Sequence, residues 1–197
     1  MQNIFYTKQN PEEYVNKDGI GEYPDAPKKC PFKECGVKLE MKKNGFYVRF
    51  LVTLMFSGRI RIRRYKCPKC KRTVSMLPSF CIAGFSYGVE FVMALLQQVI
   101  KTGSINKAVA QWQKHWAGIS RRLIDKYLTR LRNNRKLIQY GINQISPGNI
   151  DLGRPPGDTE WTKSFLSWIR PTLCPEFNAS FHKATGLSFM SLHNKIA

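Results

Sequence analysis

Residues 59–70, Arg59-Ile60-Arg61-Ile62-Arg63-Arg64-Tyr65-Lys66-Cys67-Pro68-Lys69-Cys70, run an alternating segment directly into two closely spaced cysteines. Period-two alternation puts Ile60 and Ile62 on one face of a strand and Arg59, Arg61 and Arg63 on the other. The Cys-x-x-Cys spacing lets two thiolates reach one ion from a tight knuckle. Upstream, Cys30-Pro31-Phe32-Lys33-Glu34-Cys35 supplies a second pair with four intervening residues, the loose end of the usual range. The 31 residues between Cys35 and Cys67 suit the strands of a zinc ribbon. Four thiolates around one Zn2+ close its tetrahedral shell, so such a metal is structural and leaves no position for substrate or activated water. The plain alternative is four reduced cysteines in an ordinary core.

Working backward from Arg59, Phe46 to Phe56 is rich in aromatic and β-branched residues, and Ser57-Gly58 is the predicted hairpin turn. Residues 30–84 are therefore read as a zinc ribbon built on a β-hairpin. Residues 1–29 contain Asn10-Pro11, Asp18-Gly19, Gly21 and Pro24 to Pro27, which interrupt every periodicity. They are expected to form an irregular arm.

Working forward, the period changes to helical. Val89, Val92, Met93, Leu96, Val99 and Ile100 recur at three- and four-residue intervals. Thr102-Gly103 stops that helix and Ser104 caps the next, whose stripe is Ile105, Ala108, Val109, Trp112 and Trp116. Ala117-Gly118-Ile119-Ser120 reads as a turn ending in a cap. A third helix then turns Leu123, Ile124, Tyr127, Leu128 and Leu131 inward. Residues 85–145 thus read as a three-helix, helix-turn-helix module with a basic third helix.

The formal net charge is +19 over 197 residues, and it is unevenly placed. Residues 30–84 carry 13 basic and 2 acidic residues and residues 85–145 carry 10 and 2, while the two ends are close to neutral. Excess charge confined to two motif-bearing segments points to a polyanion, with nucleic acid the expected partner. Arg59, Arg61, Arg63, Arg64, Lys69, Lys71 and Arg72 are candidates for phosphate contact. Ser120, Arg121, Arg122, Lys126 and Arg130 are candidates on the third helix, with Arg121 or Arg122 as base reader and Arg130, Arg132, Arg135 and Lys136 on phosphates. A basic solvated face on each element is the competing reading.

At this point the chain resembles a known group. Arg63-Arg64-Tyr65-Lys66-Cys67-Pro68-Lys69-Cys70-Lys71-Arg72-Thr73-Val74-Ser75-Met76-Leu77-Pro78 is similar to the zinc-ribbon exit of bacterial insertion-element, transposase-related proteins. In these a basic strand, a Cys-x-x-Cys knuckle, a Thr/Ser-containing strand and a Leu-Pro step lead into a helix-turn-helix. The resemblance covers residues 30–135, about half the chain, and departs from the group's more usual two-residue spacing at Cys30 and Cys35. It implies a duplex DNA-binding protein of mobile-element origin, acting as a recognition or accessory subunit of transposition or as a repressor.

Residues 146–197 begin with the turn-rich linker Ser146-Pro147-Gly148 and Gly153-Arg154-Pro155-Pro156-Gly157. A helix carrying Trp161, Phe165 and Trp168 follows, then Phe177, Phe181, Leu187, Phe189, Met190 and Leu192. This nearly neutral, aromatic segment suits either a partner, such as a transposase subunit bound through residues 158–192, or a return onto the helical module.

Several classes are disfavoured. The longest apolar stretch, Val89 to Ile100, contains Glu90 and two glutamines and is too short for a membrane span. Met1 is not followed by a signal-like segment, and Cys-x-x-Cys use fits a reducing compartment, so a bacterial cytoplasmic, nucleoid-associated protein is expected. The residues after the basic segments leave no room for a carboxylate-bearing nuclease fold, and His115, His182 and His193 form no catalytic pattern, so no enzymatic role is expected. Cys81, Cys174, His182 and His193 are a weaker candidate for a second metal site. The expected fold is α+β: a small zinc ribbon, a helix-turn-helix module and a short helical C-terminal segment. An RNA-binding protein and a protein-interaction adaptor in a recombination complex are the alternatives, and a homo-oligomer is compatible with all three.

Overall fold

The computed structural model describes residues 1–16, 23–146, 157–170 and 173–190. The architecture is α+β, with a four-stranded sheet at the N-terminal side of a helical layer. The strands are β1 (Gln2–Phe5), β2 (Lys42–Val52), β3 (Ser57–Lys66) and β4 (Thr73–Pro78), in the order β1-β4-β3-β2. The helices are α1 (Pro11–Asn16), α2 (Val89–Thr102), α3 (Ile105–Trp112), α4 (Arg121–Asn133), α5 (Arg135–Ile145), α6 (Asp158–Trp168) and α7 (Cys174–Thr185).

The β2–β3 hairpin forms where the alternation predicts it, but its turn lies elsewhere. Ser57 and Gly58 already belong to β3, opposite Val52 and Leu51. The chain reverses over Thr53–Phe56, closed by the bond from Thr53 N to Phe56 O at 2.7 Å and the return bond from Phe56 N to Thr53 Oγ1 at 3.0 Å. Ile60 and Ile62 are fully buried with Leu51 and Leu77, and each such side chain contributes about 1.5–3 kcal/mol. Arg59 and Arg61 face solvent, as the period requires.

The expectation of an irregular arm over residues 1–29 does not hold at its start. Gln2–Phe5 pairs in parallel with Ser75–Pro78, and α1 follows. β4 covers β3 only from Arg63 to Lys66. Beyond that overlap, the Tyr14 hydroxyl of α1 donates to Arg61 O at 3.0 Å, so α1 caps strand edge that β4 leaves unpaired. The segment from Tyr23 to Pro27 has no regular element and packs on the sheet through Tyr23 and the bond from Tyr65 Oη to Pro24 O.

The caps fall where composition places them. Gly103 ends α2 in the left-handed region at φ 65°, Ser104 Oγ accepts from Lys107 N, and Ser120 Oγ accepts from Leu123 N. Trp116 lies beyond the end of α3, in the connection to α4, and packs half-buried on Phe91 and Trp112 at the edge of the core. The helical layer is larger than three helices. A break at Asn134 separates α4 from α5, and its buried amide donates to Phe189 O at 2.8 Å.

Residues 157–190 fold back onto this layer. Trp161, Phe165, Leu166, Phe181 and Phe189 share one core with α2, α4 and α5. α7 also bridges to the sheet: buried Asn178 donates to Ser79 O and Cys81 O, each at 2.8 Å. α6 begins after an N-cap at Gly157 and runs to Trp168, carrying Trp161, Phe165 and Trp168 as the sequence predicts. The proposed linker over 147–156, together with Pro171, Leu192 and His193, lies outside the described residues.

Candidate metal centre and basic surface

Two knuckles built on the same plan bring the four predicted cysteines together. In the first, Cys35 N and Gly36 N both bond to Phe32 O at 2.9 Å, and Cys30 N bonds to Val37 O. In the second, Lys71 N bonds to Cys67 O and Cys67 N to Arg72 O. The residue after the second cysteine is left-handed in both, Gly36 at φ 50° and Lys71 at φ 61°. That turn aims both thiols of each knuckle at one point. A glycine takes this conformation freely, whereas Lys71 holds it at a cost of about 1 kcal/mol.

The four Sγ atoms lie within 4.8 Å of one another. Cys30 and Cys70 stand 3.7 Å apart and Cys35 and Cys67 3.9 Å apart, pairing each knuckle with the other. Thiolates held at ~2.3 Å from a tetrahedral ion would be separated by about 3.8 Å. The arrangement therefore fits one metal ion. Cys30 and Cys67 are buried against Met41, Tyr65, Val74 and Met76, which shield the site on the sheet side. Burial raises the Cys30 thiol pKa, whereas the Arg72 backbone N–H lowers that of Cys70. Among the described residues no other group of three or more histidines, cysteines and acids can hold a metal. Cys81 and Cys174 are each buried, Cys174 donating to Arg170 O at 3.2 Å.

The predicted cations divide into free and committed groups. Arg72 belongs to the metal centre. Its guanidinium bonds Glu34 at 2.8 Å and stacks 4.3 Å from the Phe32 ring, tying the second knuckle to the first. A hydrogen bond from its own backbone, and after it the Arg72 guanidinium, hold the Glu34 carboxyl below its usual pKa. Arg63 lies 4.1 Å over Phe46 and 5.1 Å from Tyr23, and Arg64 is half-buried. Arg130 packs 4.4 Å over Phe85, where burial lowers its pKa. Arg63, Arg72 and Arg130 are thus held against rings of the fold.

Arg59, Arg61, Lys69 and Lys71 are exposed. Lys42 and Lys43, absent from the sequence expectation, join them through the hairpin register: Lys42 stands directly opposite Lys66, both exposed. Like charges opposed across a sheet destabilise it unless an anion intervenes. Only the pairing register could have found them.

On α4, Ile124, Tyr127, Leu128 and Leu131 are buried while Arg121, Arg122 and Lys126 are exposed. Arg121 pairs with Asp125 at 3.6 Å, and Ser120 is the helix cap. Among the described residues, Arg122 and Lys126 have no carboxylate within ion-pair distance. Compared with protein-family models, curated proteins and solved structures, the chain finds no match.

Proposed function

We propose that this is a zinc-containing duplex DNA-binding protein of mobile-element origin, serving as a recognition or accessory subunit of transposition or as a repressor. The observation that carries the reading is α4: a capped helix with one face locked in the core and exposed Arg122 and Lys126 on the other. Arginine near the start of such a helix can bond a guanine edge in bidentate fashion. The exposed cations of the hairpin and second knuckle supply phosphate contacts. The segment between α3 and α4, residues 113–120, is longer than the ~3–4-residue turn of a compact helix-turn-helix, so the motif is of an open kind. Mobile-element origin rests on the likeness of residues 63–78.

Cys30, Cys35, Cys67 and Cys70 would hold Zn2+, favoured by an all-thiolate tetrahedral set. Its contribution is to pin both knuckles to the sheet, with no open coordination position for chemistry. No catalytic role is assigned. The adaptor alternative loses most of the aromatics that motivated it, because Trp161, Phe165, Phe181 and Phe189 are buried.

Selection from randomised duplex DNA and randomised RNA pools in parallel, at near-physiological salt, tests the reading. An enriched duplex motif is expected, and Arg121→Ala with Arg122→Ala should relax it. Enrichment from RNA alone, or a motif indifferent to that pair, would refute the assignment of α4.

A further inference from the structure

The outer face of the β2–β3 hairpin is covered at one end and bare at the other. At the covered end, Tyr23 and Arg63 pack on Phe46, and Tyr65 donates to Pro24 O at 2.7 Å. Further along, Val48 stands opposite Arg61 and Phe50 opposite Arg59. There Val48 is 58% and Phe50 52% exposed. Neither strand contains an aspartate or glutamate. Among the described residues, no carboxylate lies within ion-pair distance of Arg59 or Arg61.

An exposed aromatic ring on one strand beside two exposed arginines on the next asks for a ligand with both a flat apolar surface and negative charge. Duplex DNA keeps its base faces stacked and offers such a site only phosphates. An unpaired strand offers both, because every base has a free π-face and every linkage a phosphate. The spacing agrees. Val48 and Phe50 are two residues apart along β2, about 6.8 Å, roughly twice the ~3.4 Å rise of stacked bases. Successive bases can therefore meet this face only when unstacked. Two copies of the chain meeting here about a twofold axis would instead set arginines against arginines.

We infer that the open end of the hairpin is a docking site for single-stranded DNA, with one base stacked on Phe50 and the flanking phosphates on Arg59 and Arg61. The inference rests on the proposed DNA-binding function and adds a second ligand form to it: α4 reads paired DNA, while the hairpin, whose cations can also meet duplex phosphates, holds a strand released from pairing.

The test uses the full, zinc-loaded chain and fluorescence anisotropy with labelled oligothymidylate, oligouridylate and a mixed-sequence duplex. Phe50→Ala should weaken oligothymidylate binding by roughly 5- to 150-fold, leave duplex affinity within about twofold and leave the melting temperature unchanged, since the ring is exposed. Phe50→Trp should restore binding. Arg122→Ala with Lys126→Ala should do the reverse, weakening duplex and sparing oligothymidylate. Unchanged oligothymidylate binding in Phe50→Ala, or equal losses on both ligands, would overturn the inference. So would tighter binding of oligouridylate, which assigns the face to RNA, or a Phe50-dependent dimer in sedimentation. If only the Arg122/Lys126 variant fails to weaken duplex binding, the duplex reading falls while the hairpin site stands.

Discussion

Replacing Gly141 with alanine should destabilise the protein, although the same change in most helices stabilises. Gly141 is buried in the middle of α5, and its missing side chain is filled by the Phe181 ring of α7. A Cβ there would come within 2.6 Å of Phe181 Cδ2 and 2.9 Å of Cζ, and closer still to Cε2. The ring cannot swing aside, because Phe181 is fully buried and packed edge-to-face on Phe189 and beside Phe177. Helix propensity favours alanine by about 1 kcal/mol. Overpacking a close-packed core costs roughly 1–3 kcal/mol, and a direct overlap with an immobile ring belongs at the upper end. The overlap wins, with a net loss of about 2 kcal/mol and a fall in Tm of roughly 4–8 °C for a chain of this size. Thermal and urea unfolding of four proteins make the argument decisive. Phe181→Ala alone should cost about 3–5 kcal/mol. Adding Gly141→Ala to it should then recover about 1 kcal/mol, because the clash is gone and the propensity gain remains. If Gly141→Ala stabilises the otherwise unaltered chain, α7 does not pack on α5 as described, and the C-terminal segment regains its standing as a free interaction element.

Two further outcomes follow from the metal centre and the helical layer. The purified chain should carry about one equivalent of zinc by elemental analysis, and Cys67→Ser with Cys70→Ser should lose both the metal and the cooperative unfolding of the sheet, since a structural zinc's binding energy is folding energy; retention of a full equivalent would refute the four-cysteine site. His182 is half-buried with Nδ1 at 3.2 Å from Leu187 O, and burial lowers its pKa from the ordinary 6.5. Its contribution to stability is therefore present above pH 6.5 and is lost as pH falls toward the lower folded-state value. The difference in stability between the parent chain and His182→Gln, followed by urea unfolding from pH 7.5 to 5, should shrink on acidification; a constant difference would contradict the burial argument.

Much of this molecule is written in short-range pattern. The alternation from Arg59 to Arg63 sorts core from solvent because adjacent side chains on a strand point to opposite faces, whatever lies beyond them. Ser104 and Ser120 start helices because a hydroxyl satisfies an orphan N–H within three residues. The cysteine pairs assemble because each knuckle closes within its own few residues, needing only the hairpin to bring them together. What the tertiary structure alone decided is long-range. Gln2–Phe5 is too short to show a period, and becomes a strand only because β4 offers it a parallel edge some seventy residues away. Arg63, Arg72 and Arg130 look in sequence like their neighbours Arg61, Lys71 and Arg122, yet aromatic rings from Phe46, Phe32 and Phe85 hold them in the fold. The fate of the C-terminal aromatics turned on the same kind of contact, since an apolar stripe suits a partner or the chain's own core equally until Gly141 opens the space that Phe181 fills. Periodicity fixes which way a side chain faces on its own element; what stands opposite depends on residues distant along the chain, and that determines which cations and which rings remain exposed to a ligand.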